Sequence, residues 1–539
     1  MLNLLYPGLI LLVTAMLTMI KKEWQKPLFL IAPILSLVIL LSTSINTTNI
    51  YNLIIAASIL IVLFANNIFT IFNSQTTQTR DLQLSLIYIG AGLSAILTKH
   101  LIVIFLFLEL MMLAGALLIF NGHNLKSKTA GLSYLKIHML SGTLFLMGLI
   151  ITIISHESII LSSITLEKLN LGQIFFVCSL LINVALPPFS YWLTEGYTAT
   201  SPFGSSILSV CTTKISLLLI AQLLLGMHFL IYIGIFMGVY GIIYMLLETH
   251  IRKVLTFSII SEIGIILISI GVGNFNIAMS LIITNIFYIS LLMMCTGNFD
   301  LFSNTKHYFE IKKIPNKKLM LTAYVVTVFS ISSLPLTPGY FNKYALVQTI
   351  INTNQAWLIT VLNGLNVGMT LALCFKTLHF TFFYNKKIQN MNLKNNNIGI
   401  YILLAFTISL YLLVPLYMYK QQIFDIKIIK QSLWCLLAYC LFKLLKKHLY
   451  FKTNTNLKEP DFLYRTILPS VSLFILRSLA KLVEYITQSY ATISSKSNLA
   501  KLITLGQPRQ LSGSEHLNKT ILYVIAILIF VLILTLCFS

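Results

Sequence analysis

The sequence has 539 residues, of which 57% are hydrophobic and only 10% are charged. A soluble domain of that composition could not cover its surface with polar groups, so lipid must be its solvent. In a soluble protein the formal net charge of +22 would suggest a nucleic-acid partner. Here Lys and Arg gather at the ends of apolar segments, where they set membrane orientation, and we expect no nucleic acid.

Apolar segments of about 20 residues, long enough to span a bilayer, follow one another from Met1 to Tyr384. They predict an all-α polytopic membrane protein with about fourteen core helices and a C-terminal helical extension. We expect the first segment to be a retained helix, because it lacks the basic start and cleavage site of a signal peptide. The predicted spans are 1–20, 27–43, 50–73, 82–98, 100–120, 131–154, 171–194, 203–226, 228–248, 253–272, 277–297, 318–350, 357–384 and 397–419.

A C-terminal extension, residues 421–539, follows the predicted core. It holds an apolar segment at 428–445, an amphipathic stretch at 467–490 and an apolar end at 521–538. We expect one or two further transmembrane helices there.

Basic residues alternate between the connections, which predicts the orientation of the chain. The basic connections follow the first, third, fifth, ninth, eleventh and thirteenth spans, and few basic residues lie in the others. This alternation places the N-terminus outside and the Lys-rich loops in the cytoplasm, in a bacterial or mitochondrial inner membrane. The basic set is Lys21, Lys22, Lys26, Arg80, Lys126, Lys128, Arg252, Lys253, Lys306, Lys312, Lys313, Lys317, Lys318, Lys386, Lys387 and Lys394.

Two predicted spans, the seventh and the twelfth, are interrupted by proline and glycine. The breaks fall at Pro187 and Pro188, and at Pro335, Pro338 and Gly339. Freed backbone groups are tolerated at bilayer depth only against protein or water, so both breaks should face inward. The alternative is that the prolines merely kink two helices.

The two breaks lie 148 residues apart, from Pro187 to Pro335. With five helices per repeat they take equivalent positions in two inverted repeats. The predicted divisions are 1–80 for helices 1–3, 81–226 for the first repeat, 227–385 for the second repeat, 386–420 for helix 14 and 421–539 for the extension.

Three ionisable residues lie at bilayer depth: Glu109, Lys214 and Lys343. An ionised group there costs at least a few kcal/mol unless it is paired or hydrated, so such residues are functional candidates. Joined by water, they would form a proton route through the bundle. The alternative is that each one only locks two helices together. Nearer the predicted cytoplasmic ends, Lys136, His138, Lys376 and His379 either extend this route or reach the headgroups.

Neither catalysis nor a cofactor is indicated by the chain itself. No dinucleotide fingerprint and no cysteine cluster with metal-ligand spacing occurs among its seven cysteines, so we expect no metal site, no cofactor and no catalysis by the chain alone.

These features resemble the antiporter-like subunits shared by respiratory complex I and by Mrp-type cation/proton antiporters. The resemblance covers about residues 50–385, and the order of its segments makes it specific. The segments are FLFLELM with Glu109, SYLKIHMLSGTLFLMG, LPPFSYWLTEGYTATSP followed by TTK with Lys214, ETHIRKVLTFSIISEIGIILISIGVGN, and SLPLTPGYFNK with Lys343.

The resemblance implies fourteen core helices in two inverted five-helix repeats, with helices 7 and 12 broken. It implies proton translocation along a central line, in which Glu109 is the carboxylate of the fifth helix, Lys214 the lysine of the eighth and Lys343 that of the twelfth. A lysine at 343 is unlike the complex I subunit that has glutamate there. The motif EPDFLYR, Glu459 to Arg465, resembles a segment of Mrp D-type subunits.

Three positions depart from the family pattern. Asn183 replaces the lysine of the seventh helix, and Thr284 and Tyr288 replace the histidine and lysine of the eleventh. These side chains hold water but do not titrate near neutral pH. The central relay is therefore expected to be incomplete, so that either water and the remaining lysines suffice or pumping has been lost.

The sequence thus predicts a D-like membrane subunit of a multisubunit Mrp-type antiporter, with other membrane subunits, the bilayer, protons and either Na⁺ or K⁺ as partners. The first alternative is a proton-pumping subunit of NADH:quinone oxidoreductase, in which case the redox chemistry occurs in partner subunits. The second is a non-pumping scaffold, as the three substituted positions suggest.

Overall fold

The structure is a computed structural model, and the residues it describes belong to one compact unit within residues 1–457. The part of the predicted extension beyond 449, including the amphipathic stretch 467–490 and the EPDFLYR motif, lies outside the described residues, as do several of the Lys-rich connections. The described residues are 2–20, 24–43, 49–72, 79–122, 125–155, 158–161, 170–303, 307–311, 313–353, 355–384, 389–391, 397–418 and 427–449.

Long apolar runs form helices here because lipid offers no partner for a backbone N–H or C=O, so each group must bond within its own segment. The helices of the first half are α1 Leu2–Ile20, α2 Gln25–Thr43, α3 Ile50–Phe72, α4 Thr79–Leu97, α5 Leu101–Phe120, α6 Leu125–Ile154, α7 Leu171–Asn183, α8 Tyr191–Ala199, α9 Pro202–Leu208 and α10 Thr212–Leu223. Those of the second half are α11 Phe229–Leu247, α12 Ile251–Gly271, α13 Phe275–Ser303, α14 Lys317–Ile331, α15 Pro338–Asn352, α16 Ala356–Met369, α17 Ile398–Met418 and α18 Lys427–Leu449.

The predicted all-α polytopic class is confirmed. Each of the predicted core spans contains helix, and within the described residues ten helical segments are long and apolar enough to cross a membrane. After α16 the chain continues in π-helical form over Thr370–Thr377 and His379–Phe383. Two short strands, β1 Lys313–Pro315 and β2 Gln389–Met391, pair in parallel with Lys313 opposite Gln389.

Both predicted interruptions are present. Pro187 and Pro188 lie between α7 and α8, and Pro335 lies between α14 and α15. Pro338 is instead the first residue of α15, where its missing N–H costs nothing, and Gly339 follows it inside that helix. The backbone turns through left-handed conformations at Ala185 in the first break, with φ 61°, and at Ser333 in the second, with φ 53°.

A third interruption was not predicted. Residues 209–211 separate α9 from α10 inside what the hydropathy pattern reads as one span. Proline is absent from this segment, so the sequence carries no strong signal for the break. Its consequence is a free carbonyl at Ser209, which bears directly on the position of Lys214.

Helices α11 and α12 approach each other closely through glycine. An added Cβ at Gly234 would collide with the main-chain oxygen of Gly264, and one at Gly241 would lie 2.6 Å from that of Phe257. Small residues allow such close backbone contact between membrane helices, and this replaces the hydrophobic driving force that lipid does not supply.

We predict that Gly234→Ala lowers the free energy of unfolding by about 1–3 kcal/mol, because the two backbones must separate to admit the methyl group. Gly364→Ala is the matched control, since nothing lies within 4 Å of a Cβ at that helical position. Thermal unfolding of the purified protein in detergent measures both. Equal midpoints for the two variants would contradict the close-packing argument.

Candidate functional site

Lys214 lies in the interior of the bundle, in the first turn of α10. Its side chain is fully buried, and Nζ donates to the main-chain oxygen of Ser209 at 2.8 Å. Ser209 is the C-cap residue of α9, so this carbonyl is one that the third interruption frees. A positive charge is favourable at such a helix C-terminus.

Lys343 occupies the corresponding setting at the break between α14 and α15. It is buried, and Nζ donates to Asn366 Oδ1 at 2.5 Å and to the main-chain oxygen of Ile331 at 3.4 Å. Ile331 is the last residue of α14. Both candidate lysines therefore bind a carbonyl that a helix interruption leaves without its usual partner.

Glu262 on α12 is the residue that sequence reasoning missed. It interacts electrostatically with both Lys343 and Lys214, and it lines one cavity with Lys343. A signal for it was present, because a five-helix repeat maps the fifth span onto the tenth, and therefore Glu109 onto an acidic residue of the tenth span. Glu262 also lies near the middle of its predicted span, 253–272, as Glu109 does in the fifth, so the rule for charges at bilayer depth applies to it directly.

A cavity of about 20 Å³ joins Glu262 to Lys343, which is room for about one water molecule. Its lining is contributed by α12, α13, α14 and α15. The polar residues of the lining are Glu262, Thr284, Tyr288, Ser330, Ser333 and Lys343.

The substituted positions of the eleventh predicted span thus line this cavity. Thr284 Oγ1 lies 3.5 Å from Asn342 Nδ2, and Asn342 Oδ1 accepts from Ser280 Oγ at 2.8 Å. Thr284 also donates to the main-chain oxygen of Ser280 at 2.9 Å. The substitutions therefore keep a polar wall beside Glu262 and Lys343, although they supply no titrating group.

A second cavity of about 20 Å³ lies in the first half, where Glu109, His138 and Asn183 meet. His138 Nδ1 and Asn183 Oδ1 are 2.9 Å apart, and both side chains are buried. Glu109 is half-buried and its carboxylate lies against Gly142 on α6. Asn183, which replaces the expected lysine, thus binds His138. The structure shows no ion pair between Glu109 and any described residue.

His138 is held by aromatic rings on two sides. Its ring centroid lies 4.2 Å from that of Tyr134 and 4.5 Å from that of Trp192. Trp192 Nε1 in turn donates to the main-chain oxygen of Ile182 at 3.2 Å, an oxygen that also accepts from the main-chain N–H of Ala185 at 3.0 Å. His138 is therefore part of the interior and does not reach toward headgroups.

The other three candidates near helix ends, Lys136, Lys376 and His379, differ in how deeply they are buried. Lys136 is exposed, His379 is half-buried, and Lys376 is fully buried. Lys376 Nζ donates to the main-chain oxygens of Met245, Leu246 and Glu248 at 2.8, 2.6 and 2.8 Å. These carbonyls lie at the C-terminal end of α11, so Lys376 caps that helix. Because its side chain is buried, Lys376 does not reach the headgroups.

Metal ligation is not indicated in the part of the chain that the structure describes. No group of three or more His, Cys, Asp or Glu side chains is arranged there to hold a metal ion.

Interrupted spans and buried charges at mid-depth in a polytopic helix bundle are the architecture of ion-transporting membrane proteins. The chain belongs to the NADH:quinone oxidoreductase/Mrp antiporter transmembrane family, whose pattern matches residues 98–370. That match includes Glu109, Lys214, Glu262 and Lys343.

Curated proteins that are similar to this chain include antiporter subunits. A curated protein of Staphylococcus aureus strain JH9, with the name antiporter subunit mnhD2, is 21% identical over 340 residues. The match covers 57% of this chain and 66% of that relative, just under two thirds of its length. The protein of the same name from strain Newman matches to the same extent.

Solved structures share the fold. A chain of the Mrp complex from Dietzia sp. DQ12-45-1b superposes with a TM-score of 0.66 and 14% identity, covering 83% of this chain and 98% of that chain. A chain of respiratory complex I from Thermus thermophilus with bound aureothin gives a TM-score of 0.62 and 16% identity, covering 77% of this chain and 97% of that chain. At these identities the likeness establishes the fold.

We predict that Lys376→Met lowers the free energy of unfolding by about 2 kcal/mol or more, because three helix-end carbonyls lose a charged donor. Lys136→Met is the matched control, since the same substitution there removes an exposed side chain. Thermal unfolding in detergent measures both. If Lys376→Met unfolds at the temperature of Lys136→Met, the capping role assigned to Lys376 is wrong.

Proposed function

We propose that this chain is a D-like membrane subunit of a multisubunit Mrp-type cation/proton antiporter, and that it moves protons along a central line of buried Glu and Lys residues. The observation that carries the proposal is the buried cavity that Glu262 and Lys343 share, together with the electrostatic interaction of Glu262 with both Lys343 and Lys214. Its partners are other membrane subunits, lipid, protons and either Na⁺ or K⁺. The proposed location is a bacterial or mitochondrial inner membrane, with the N-terminus outside.

The central line can pass a change of charge from one half of the bundle to the other. When one lysine releases its proton, Glu262 loses a neighbouring positive charge and takes up a proton more readily. At an effective dielectric constant of about 20, two unit charges about 6 Å apart interact by about 3 kcal/mol, close to a hundredfold in an equilibrium constant. Protonation at one site therefore biases the next without a large movement of the backbone.

Unpaired polar atoms along this line support hydration. Within the described residues, His138 Nε2, Thr213 Oγ1 and both amide atoms of Asn285 are buried and lack a hydrogen-bond partner. Buried polar groups of this kind are normally satisfied by internal water. Water at these points would connect groups that do not touch one another.

The proposed inverted repeats, residues 81–226 and 227–385, give the charged residues paired positions. Glu109 on the fifth span corresponds to Glu262 on the tenth, and Lys214 on the eighth corresponds to Lys376 on the thirteenth. The carboxylate–lysine pair expected in the first repeat is missing at Asn183. An equivalent pair, Glu262 with Lys343, occurs in the second repeat. On this proposal the relay is complete in the second half, and residues 284 and 288 need not titrate.

A second candidate is a proton-pumping subunit of an NADH:quinone oxidoreductase. The fold likeness to the complex I chain supports it, and the curated antiporter relatives support the first candidate. Purifying the native complex separates the two. Small antiporter subunits and no NADH oxidation would support the Mrp assignment, and peripheral dehydrogenase subunits with NADH-driven quinone reduction would support the other.

A third candidate is a non-pumping scaffold, which the His138–Asn183 contact favours because it replaces an ion pair by a neutral hydrogen bond. Proton flux through the reconstituted complex tests it. Unchanged proton flux in both Glu109→Ala and Lys343→Ala would contradict the proposed proton route and would support the non-pumping scaffold.

We predict that Glu262→Gln lowers proton flux at least tenfold in the reconstituted complex, because the amide keeps the shape of the side chain but cannot change charge. Glu262→Asp should retain part of the flux. Glu310→Gln is the matched control at an exposed position of a connection. Flux is followed with a pH-sensitive dye inside liposomes, and full flux in Glu262→Gln with normal subunit composition would overturn the central line.

We predict that Asn183→Lys raises flux, because it restores a titrating group in the cavity that Glu109 and His138 share. Asn183→Met is the control for side-chain length without charge. The same liposome assay compares the two. Equal flux in both variants would show that the charge at position 183 does not limit transport.

A further inference from the structure

A third cavity, which we call the α18 cavity, lies between α15, α16 and α18. Its volume is about 260 Å³, which is room for several water molecules. Lys343 lines it and also lines the smaller cavity that holds Glu262, so this lysine borders both. The residues of its lining that matter below are Lys343, Val347, Gln348, Asn363, Asn366 and Trp434.

The polar part of this lining suits water. The buried ammonium group of Lys343 donates to Asn366 Oδ1 at 2.5 Å. Gln348 and Asn363 are half-buried, and the structure gives neither side chain a hydrogen bond to another described residue. Amide and ammonium groups lose several kcal/mol in hydrocarbon unless protein or water binds them. Acyl chains in the α18 cavity would therefore be unfavourable.

Helix α18 supplies the third wall and turns Trp434 toward it. Trp434, Ala438 and Phe442 are four residues apart, so they share one face of the helix. Ala438 is fully buried, and the ring of Phe442 lies 5.9 Å from that of Phe375 in the thirteenth span. On another face of α18, Leu433 is 58% exposed. Trp434 thus faces the bundle while its neighbour in the sequence meets the surroundings.

Tryptophan suits a boundary between lipid and water, because its large ring is apolar and its single N–H can bind water. Alanine at position 434 would remove the ring and open the wall to acyl chains. We propose that α18 keeps lipid out of the α18 cavity and that Trp434 closes the wall, so that Lys343 keeps water beside it. This assigns a role to a helix outside residues 98–370, which match the family. The inference rests on helix packing, and only its consequence for flux depends on the proposed function.

Radiolytic hydroxyl-radical footprinting of the complex in lipid nanodiscs tests whether the cavity is wet, because the radicals form from water and modify the side chains beside it. Val347 is the half-buried reporter in the cavity, and Val239, 43% exposed at mid-span on α11, is the matched control. We expect Val347 to be modified at least fivefold more than Val239. Equal modification of the two valines would show a dry cavity and would overturn the proposal.

Substitutions on α18 then test the wall. We expect Trp434→Ala to lower the modification of Val347 at least threefold, whereas Trp434→Phe and Leu433→Ala leave it unchanged. Partial unfolding would raise the modification of Val239, so a fall at Val347 alone marks the entry of lipid. If Trp434→Ala unfolds, Trp434→Leu takes its place, since it keeps an apolar side chain without the ring. Unchanged or increased modification of Val347 in the folded variant would reject the role of Trp434.

Proton flux gives a separate readout, because Lys343 lies on the proposed proton line. We expect Trp434→Ala to lower flux at least threefold and Trp434→Phe to retain it. Full flux in Trp434→Ala, with the modification of Val347 reduced, would contradict a need for water beside Lys343. Absence of flux in the unsubstituted complex would reject the proposed function and leave the footprinting result standing.

Discussion

Backbone carbonyls that are freed inside the helix bundle are the constraint on which the rest of this structure depends. A break within a span leaves the last carbonyls of the preceding helix without N–H partners, and lipid cannot supply them. Among the described residues, two buried lysines bind such carbonyls at breaks, and a third binds those at the ordinary end of a helix. Lys214 binds the end of α9, Lys343 the end of α14, and Lys376 the end of α11. Broken helices and buried positive charge therefore occur together for a physical reason.

The hydrogen bonds to these carbonyls also distinguish Lys214 and Lys343, which we propose take part in transport, from Lys376, which stabilises the fold. Lys376 directs its hydrogen bonds to three carbonyls, which saturates the ammonium group. Lys214 binds one carbonyl, and Lys343 one carbonyl and one amide, and both interact with Glu262. Lys376 interacts with Glu248 at the same helix end, whereas Lys214 and Lys343 both interact with one carboxylate in the interior. This difference supports the first two as the proton-carrying members.

Hydropathy predicted the spans well, because a bilayer demands about 20 apolar residues whatever their order, and proline located two of the three breaks. The break at 209–211 escaped because small polar residues form it without proline. The burial of His138 and Lys376 escaped because the side of a helix that faces the interior depends on neighbours distant in the sequence. Glu262 itself could have been predicted from its mid-span position, but its interaction with two lysines could not, because that depends on the packing of α10, α12 and α15.

The two halves of the bundle differ in a way that bears on how the chain works within a complex. In the second half Glu262 has its lysines in the same chain, so its charge is set internally. In the first half Glu109 shares its cavity with His138 and with the neutral amide of Asn183. His138 is therefore the titratable group that shares a cavity with Glu109, and it is held by Asn183 and not by a second carboxylate. On the proposed proton line, the charge of Glu109 thus depends on a histidine and on the water beside it, whereas the charge of Glu262 depends on two lysines.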